Sequence, residues 1–286
     1  MTHRPTSRRA LLAAGGLAVV AGCASPRDTG AAASATAVRP VRHHYGSGRQ
    51  QVGDLYLPAD GRPRGTVVVI HGGFWQSTYG LDLGAPTSAD LARRGWAAWN
   101  IEYRRLGDSG GWPNTFTDVA AAVDHLRHLE GVDLGRVVTL GHSAGGQLAV
   151  WAASRRGASL PGGVPRVRVG AAVSQAGVLA LAEAARTGLG GTAVPGLVGG
   201  MPDRVPGRYA AADPVERVPL GVPVRCVHGT ADDTVPLSQS QAYVDAARAA
   251  GDDARLVRVP GDHFALIDPG TPAWRRTVEV LAALTG

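Results

Sequence analysis

The sequence predicts an α/β fold over residues 38–286, with a mostly parallel, twisted sheet covered by helices on both faces. Three observations carry this. Short apolar, β-branched runs alternate with helical patterns, and strand-then-helix alternation builds a parallel sheet. The strongest run, Thr66-Val67-Val68-Val69-Ile70, is apolar at almost every position, as a strand buried on both faces requires. A hydrophobic fraction of 44% excludes a disordered or collagen-like chain, and about 250 residues suit a single core of this kind.

The elements follow in order. Residues 53–57 alternate and stop at Pro58, which suits an antiparallel edge strand. Further strands are expected at 66–70, 97–102, 136–140, 167–174, 222–227 and 254–259. Helical periodicity falls at 87–94, 115–129, 144–154, 237–250 and 272–283. Residues 177–213, rich in Gly, Ala and Pro, break the rhythm. They fit a lid inserted above the sheet or an ordinary surface loop, and the pattern leaves both open.

Residues 1–23 read as an export signal. Ser7-Arg8-Arg9 resembles a twin-arginine motif, and the apolar run 11–21 is too short for a hydrocarbon core that needs about 20 helical residues. Val20-Ala21-Gly22-Cys23 reads as a lipobox with Cys23 lipidated, against the blander view of Cys23 as a small residue near a cleavage site. Residues 24–37 read as a flexible tether. The expected location is extracytoplasmic, on the outer face of the cytoplasmic membrane, with the lipid as the only membrane contact. Cys226, the second cysteine, falls in the apolar run 222–227 and is expected to pack there as a small hydrophobe. The net charge of +6 comes entirely from Arg, as there is no Lys, and Arg4, Arg8 and Arg9 lie in the signal. No run exceeds two Arg, so no nucleic-acid partner is expected.

The chemistry starts at Gly141-His142-Ser143-Ala144-Gly145-Gly146, a G-x-S-x-G between a strand pattern and a helix pattern. A second copy, Gly107-Asp108-Ser109-Gly110-Gly111, lacks both flanks and reads as a loop, so Ser143 is the candidate nucleophile. A hydroxyl needs a base to take its proton. In this arrangement an acid and then a His follow the Ser along the chain. His263 lies past the strand 254–259 and Asp232 past 222–227, with Asp233 as the acid's competitor and His228 as the base's. Three loops at the carboxyl ends of strands thus supply Ser143, Asp232 and His263. His71-Gly72-Gly73-Phe74-Trp75 follows the strand 66–70, where an oxyanion loop belongs, and the expected donors are the N–H groups of Gly73, Phe74 and Ala144. Phe74, Trp75 and Trp112 are candidates either for a substrate pocket or for ordinary core. His43, His44, His125 and His128 are expected in solvent. No metal-ligand spacing is present, and no metal or cofactor is expected.

From Tyr45 onward the chain resembles the α/β-hydrolases, in the esterase/lipase branch that includes kynurenine formamidase-like and feruloyl-esterase-like proteins, with links to prolyl oligopeptidase catalytic domains. The matching residues are His71 to Trp75, Glu102-Tyr103-Arg104, Gly141 to Gly146, His228 to Pro236, and His263-Phe264. The resemblance implies H-G-x-x-D-x-x-V-P for the run at His228, which puts the triad acid at Asp232. Phe74 stands where the hormone-sensitive-lipase pattern has a third Gly, and no propeller precedes the domain, so oligopeptidase activity is not expected. The expected function is hydrolysis of small carboxylic esters through an acyl-enzyme. The alternatives are an arylformamidase or amidase of the kynurenine formamidase type, and a non-catalytic ligand-binding surface lipoprotein.

Overall fold

The computed structural model describes residues 38–157 and 159–286. The export signal, the lipobox at Cys23 and the tether at 24–37 lie outside the described residues. In chain order the strands are β1 (Val41–His44), β2 (Val52–Tyr56), β3 (Thr66–Ile70), β4 (Ala97–Ile101), β5 (Val137–His142), β6 (Ala171–Gln175), β7 (Val224–Gly229) and β8 (Ala254–Val259). The helices are α1 (Ala85–Arg93), α2 (Asn114–His125), α3 (Ala144–Ala153), α4 (Leu181–Thr187), α5 (Ala193–Val198), α6 (Pro206–Ala212), α7 (Leu237–Ala249) and α8 (Pro272–Thr285).

All eight strands form one sheet in the order β1-β2-β4-β3-β5-β6-β7-β8. The six from β3 to β8 run parallel, whereas β2 pairs antiparallel with both β1 and β4. The sequence places β2 at the edge, but β1 holds that position. Val41-Arg42-His43-His44 is polar and largely exposed, so it gives no apolar signal. It is fastened by pairing and by the Arg42–Asp54 ion pair at 2.7 Å.

The pleat assigns the two layers. Val67 and Val69 face a core shared with α1 and α8, including Leu91, Trp274 and Leu281. Val68 and Ile70 face the other core, with Phe116, Leu148 and Trp151 from α2 and α3. Cys226 is fully buried in β7, and burial pushes its thiol up to about 12, so it packs as a neutral hydrophobe.

The stretch for which the sequence leaves lid and loop open folds into α4, α5 and α6. It docks on α3, where Gln147 Nε2–H donates to Ala212 O at 2.9 Å and Trp151 Nε1–H donates to Ala211 O at 3.0 Å. Buried Asp213 accepts the Leu181 and Ala182 N–H groups at 2.8 Å each, satisfying donors at the start of α4. Burial drives its carboxyl up to about 6. His43 and His125, expected in solvent, are half-buried against the Trp99 ring.

In the sheet order the chain runs from β3 out to β4 and then back across to β5. The loops after β3 and β5 therefore diverge, leaving a crevice at the carboxyl ends of the strands.

Candidate active site

Gly141 to Gly146 forms the turn between β5 and α3. Ser143 sits at φ 55° and ψ −120°, a left-handed backbone that costs about 1–3 kcal/mol for a residue with a side chain. Its surroundings hold it there. The Ser143 N–H donates to Gln175 O at 2.8 Å, and Ser143 O accepts the Gly146 N–H at 2.8 Å. The glycines are required by contact. A Cβ on Gly141 would overlap the Gly145 carbonyl, and one on Gly145 would overlap the Ile70 carbonyl at the end of β3. Gly145→Ala should therefore destabilise the fold by about 3 kcal/mol, since only backbone can yield. Thermal melts beside wild type check this, and an unchanged melting temperature would contradict the contact.

Asp232 lies beyond β7 with its two oxygens on different errands. Oδ1 accepts the Thr234 and Val235 N–H groups at 3.0 and 2.9 Å, and Oδ2 accepts Nδ1–H of His263 at 2.7 Å. Burial alone would raise this carboxyl. The bond from His263 and the two backbone donors outweigh it and hold the group below the usual range. Asp233 is exposed and, among the described residues, accepts only the Thr234 hydroxyl and makes no bond to His263. Asp262 is occupied with the Phe264 and Ala265 N–H groups at 3.0 and 2.9 Å. His228 is spent within its own loop. Its Nε2–H donates to Val235 O at 2.9 Å and its Nδ1 accepts from Ser240 Oγ at 2.8 Å, so it has no free nitrogen for a base.

His263 and Ser143 line the same cavity of about 130 Å³. With Nδ1–H committed to Asp232, the remaining nitrogen, Nε2, is an acceptor. Among the described residues no hydrogen bond joins it to Ser143 Oγ. His142, one residue before Ser143, donates Nε2–H to His263 O at 2.9 Å, with the two rings 4.4 Å apart. Burial, aided by the neighbouring His263, pushes His142 down to about 3, so it acts as a neutral strut that ties the two loops together. Sequence reasoning gives His142 no role, because its partner is a backbone carbonyl 121 residues away.

Gly73, Phe74 and Trp75 all have positive φ, at 106°, 48° and 55°. Among the described residues the N–H groups of Gly73 and Phe74 meet no acceptor. The N–H of Ala144 opens α3, where a helix leaves its first donors free. Gly73 and Phe74 line the cavity beside Ser143.

The tryptophans are corrected. Trp75 is fully buried and its indole N–H donates to Gln147 Oε1 at 3.2 Å, so it belongs to the core beneath the site. Trp112 is half-buried, packs on Phe116 at 5.3 Å between ring centroids, and does not reach the cavity. The apolar wall is made instead by Phe74, Tyr79, Leu83, Phe264 and Ile267. Among the described residues none of 177–213 lines it, although Gly190 packs against the Phe74 ring. Ser109, in the second G-x-S-x-G, sits on a turn where its carbonyl accepts from Asn114 Nδ2 at 2.9 Å. It is outside the cavity.

Comparison with known proteins gives the family and the fold. The BD-FAE family profile matches residues 53–246. The chain belongs to the BD-FAE family. Among curated proteins it is similar to the uncharacterized protein YfhR of Salmonella typhi, at 27% identity over 217 residues, covering 73% of this chain and 69% of that one. Among solved structures it is similar to esterase 2 of Thermogutta terrifontis, at 26% identity and a TM-score of 0.67, covering 85% of this chain and 92% of the other. It also superposes on a truncated carbohydrate esterase from gut microbiota with a TM-score of 0.73 and 21% identity, covering 88% and 98% of the two chains. The BD-FAE chain thus has the α/β-hydrolase fold.

Proposed function

We propose that this BD-FAE protein is a serine hydrolase of small carboxylic esters that works through an acyl-enzyme. Membership of the family and the likeness to esterases support ester hydrolysis in general. One observation carries the finer reading. His263, oriented by Asp232 at 2.7 Å, presents its free Nε2 to the cavity that Ser143 enters from a strained turn.

In this mechanism Ser143 Oγ attacks the ester carbonyl while His263 Nε2 takes its proton. Asp232 keeps the proton on Nδ1 beforehand and balances the imidazolium afterwards. The carbonyl oxygen, now negative, is met by the N–H groups of Gly73, Phe74 and Ala144, the last at the positive end of α3. The tetrahedral centre collapses, His263 returns the proton to the departing alkoxide, and an acyl-Ser143 ester remains. Water, deprotonated by His263, then releases the acid. The Oγ–Nε2 hydrogen bond forms as substrate closes the gap, since such bonds are commonly long in the free enzyme. About 130 Å³ of mainly apolar space accommodates one short acyl or alkoxy group, so small esters are the substrates. We further propose that the domain works outside the cell, tethered through a lipid on Cys23.

A fluorophosphonate probe tests the reading, because it reacts only with an activated serine. Labelling should appear on Ser143 by peptide mapping and vanish in His263→Ala. A protein that binds esters without labelling would instead be the ligand-binding lipoprotein.

A further inference from the structure

Glu102 and Tyr103 follow β4 directly, one strand over from β3, and the acyl-transfer steps use neither. A buried carboxylate must be surrounded by donors. Glu102 Oε1 accepts from His71 Nε2–H at 2.9 Å and from the Tyr103 N–H at 2.8 Å, and Oε2 accepts the Leu81 N–H at 3.1 Å. Arg105 Nε stands 3.3 Å from Oε1. Burial would raise the Glu102 carboxyl, but the His71 bond and the neighbouring positive charge bring it below its ordinary value.

The other ring nitrogen of His71, Nδ1, lies 2.8 Å from Gly72 O, which can only accept. Both neighbours are acceptors, so the imidazole is clasped between the Glu102 carboxylate at one ring nitrogen and the Gly72 carbonyl at the other. Tyr103 fixes the ring plane. It stacks on the imidazole at 4.4 Å with 11° between the planes, and its hydroxyl donates to His71 O at 2.9 Å.

The consequence runs through one peptide bond. In a trans peptide the C=O of Gly72 and the N–H of Gly73 point in opposite directions. Drawing the carbonyl back onto His71 turns the Gly73 N–H away from His71. The peptide lies against Ser143, since a Cβ on Gly72 would stand 2.8 Å from His142 O and 3.0 Å from Ser143 Cβ. We infer that Glu102 and His71 form a positioning pair that holds the Gly72–Gly73 peptide so that the Gly73 N–H faces the oxyanion formed at Ser143. This rests on the serine-hydrolase reading above. The pair touches no substrate. It acts on the oxyanion hole alone.

Two sets of variants of the full chain test the pair, with p-nitrophenyl acetate as substrate. Glu102→Gln should lower kcat by about 10–100-fold and leave KM within about threefold, because the donor matters only once charge has developed. Its affinity for a boronic acid, which forms a tetrahedral adduct on serine, should fall by the same factor as kcat/KM. The two amides at position 71 then separate positioning from mere bracing. In His71→Asn the amide nitrogen takes the place of Nδ1 and keeps the Gly72 bond. In His71→Gln it takes the place of Nε2 and keeps the Glu102 bond. His71→Asn should retain about tenfold more kcat than His71→Gln. Equal or reversed order overturns the inference, as does Glu102→Gln with kcat intact. If the variants do not fold, nitrogen-15 spectra of the wild type decide, with a hydrogen-bonded Nε2–H on His71 expected and an Nε2 without a proton overturning the pair. A wild type that fails to label with fluorophosphonate sinks the serine-hydrolase reading instead, and the Nε2–H of His71 then decides the His71–Glu102 pair on its own.

Discussion

Ser143→Ala should lower kcat/KM on p-nitrophenyl acetate by about 10⁴–10⁶-fold, the largest loss expected from any single substitution in this site. The loss follows from covalent chemistry, because without Oγ no acyl-enzyme forms. Residual catalysis then comes only from the oxyanion donors and from binding. The fold should not suffer. Alanine keeps the Cβ, so the turn remains at φ 55° with the same backbone bonds to Gln175 and Gly146. Ser143→Gly makes a useful partner. It should be equally inactive but more stable by about 1 kcal/mol, because glycine adopts positive φ without strain. Paired activity assays and thermal melts check both, and Ser143→Ala with wild-type turnover would remove Ser143 from the reaction.

Legibility in the sequence tracks how far each feature depends on distant partners. The strands at 66–70 and 254–259 are found at the residues expected, because their own composition sets them. The polar edge strand β1 is invisible because its stability lies in pairing with β2. The helices α4, α5 and α6 have six or seven residues each, too short for periodicity, and they are held by α3 and Asp213. Ser143 and its glycines are legible because the turn is local. Trp75 is not, since its side of the loop is decided by Gln147, 72 residues on. The same holds for Tyr79 and Leu83, whose place in the cavity wall follows from how the loop after β3 closes. Spacing alone leaves Asp232 and Asp233 open. The turn separates them, because the Thr234 and Val235 N–H groups take one oxygen of Asp232 and thereby aim the other at His263.

That division of labour makes Asp232→Asn the second large effect, with kcat expected to fall about 10⁴-fold. The two backbone donors need an acceptor, so the asparagine must turn its oxygen toward Thr234 and Val235. Its NH₂ then faces Nδ1 of His263, where the wild type has a carboxylate oxygen at 2.7 Å. A donor there forces Nδ1 to accept and moves the ring proton to Nε2, the nitrogen that must be free to take the Ser143 proton. The imidazole stays in place in the wrong tautomer. Stability gives an independent readout with a definite sign. The Asp232 carboxyl is held below its ordinary value in the fold, so its charge stabilises the protein above the unfolded carboxylate range, near pH 3.9, and that contribution disappears as pH falls through the lowered value. The gap in unfolding free energy between wild type and Asp232→Asn should therefore be widest at neutral pH and shrink in acid, as urea titrations at pH 7 and at about pH 3 would measure. Wild-type turnover in Asp232→Asn, or a stability gap that widens in acid, would mean that the His263–Asp232 contact does not set the imidazole's tautomer.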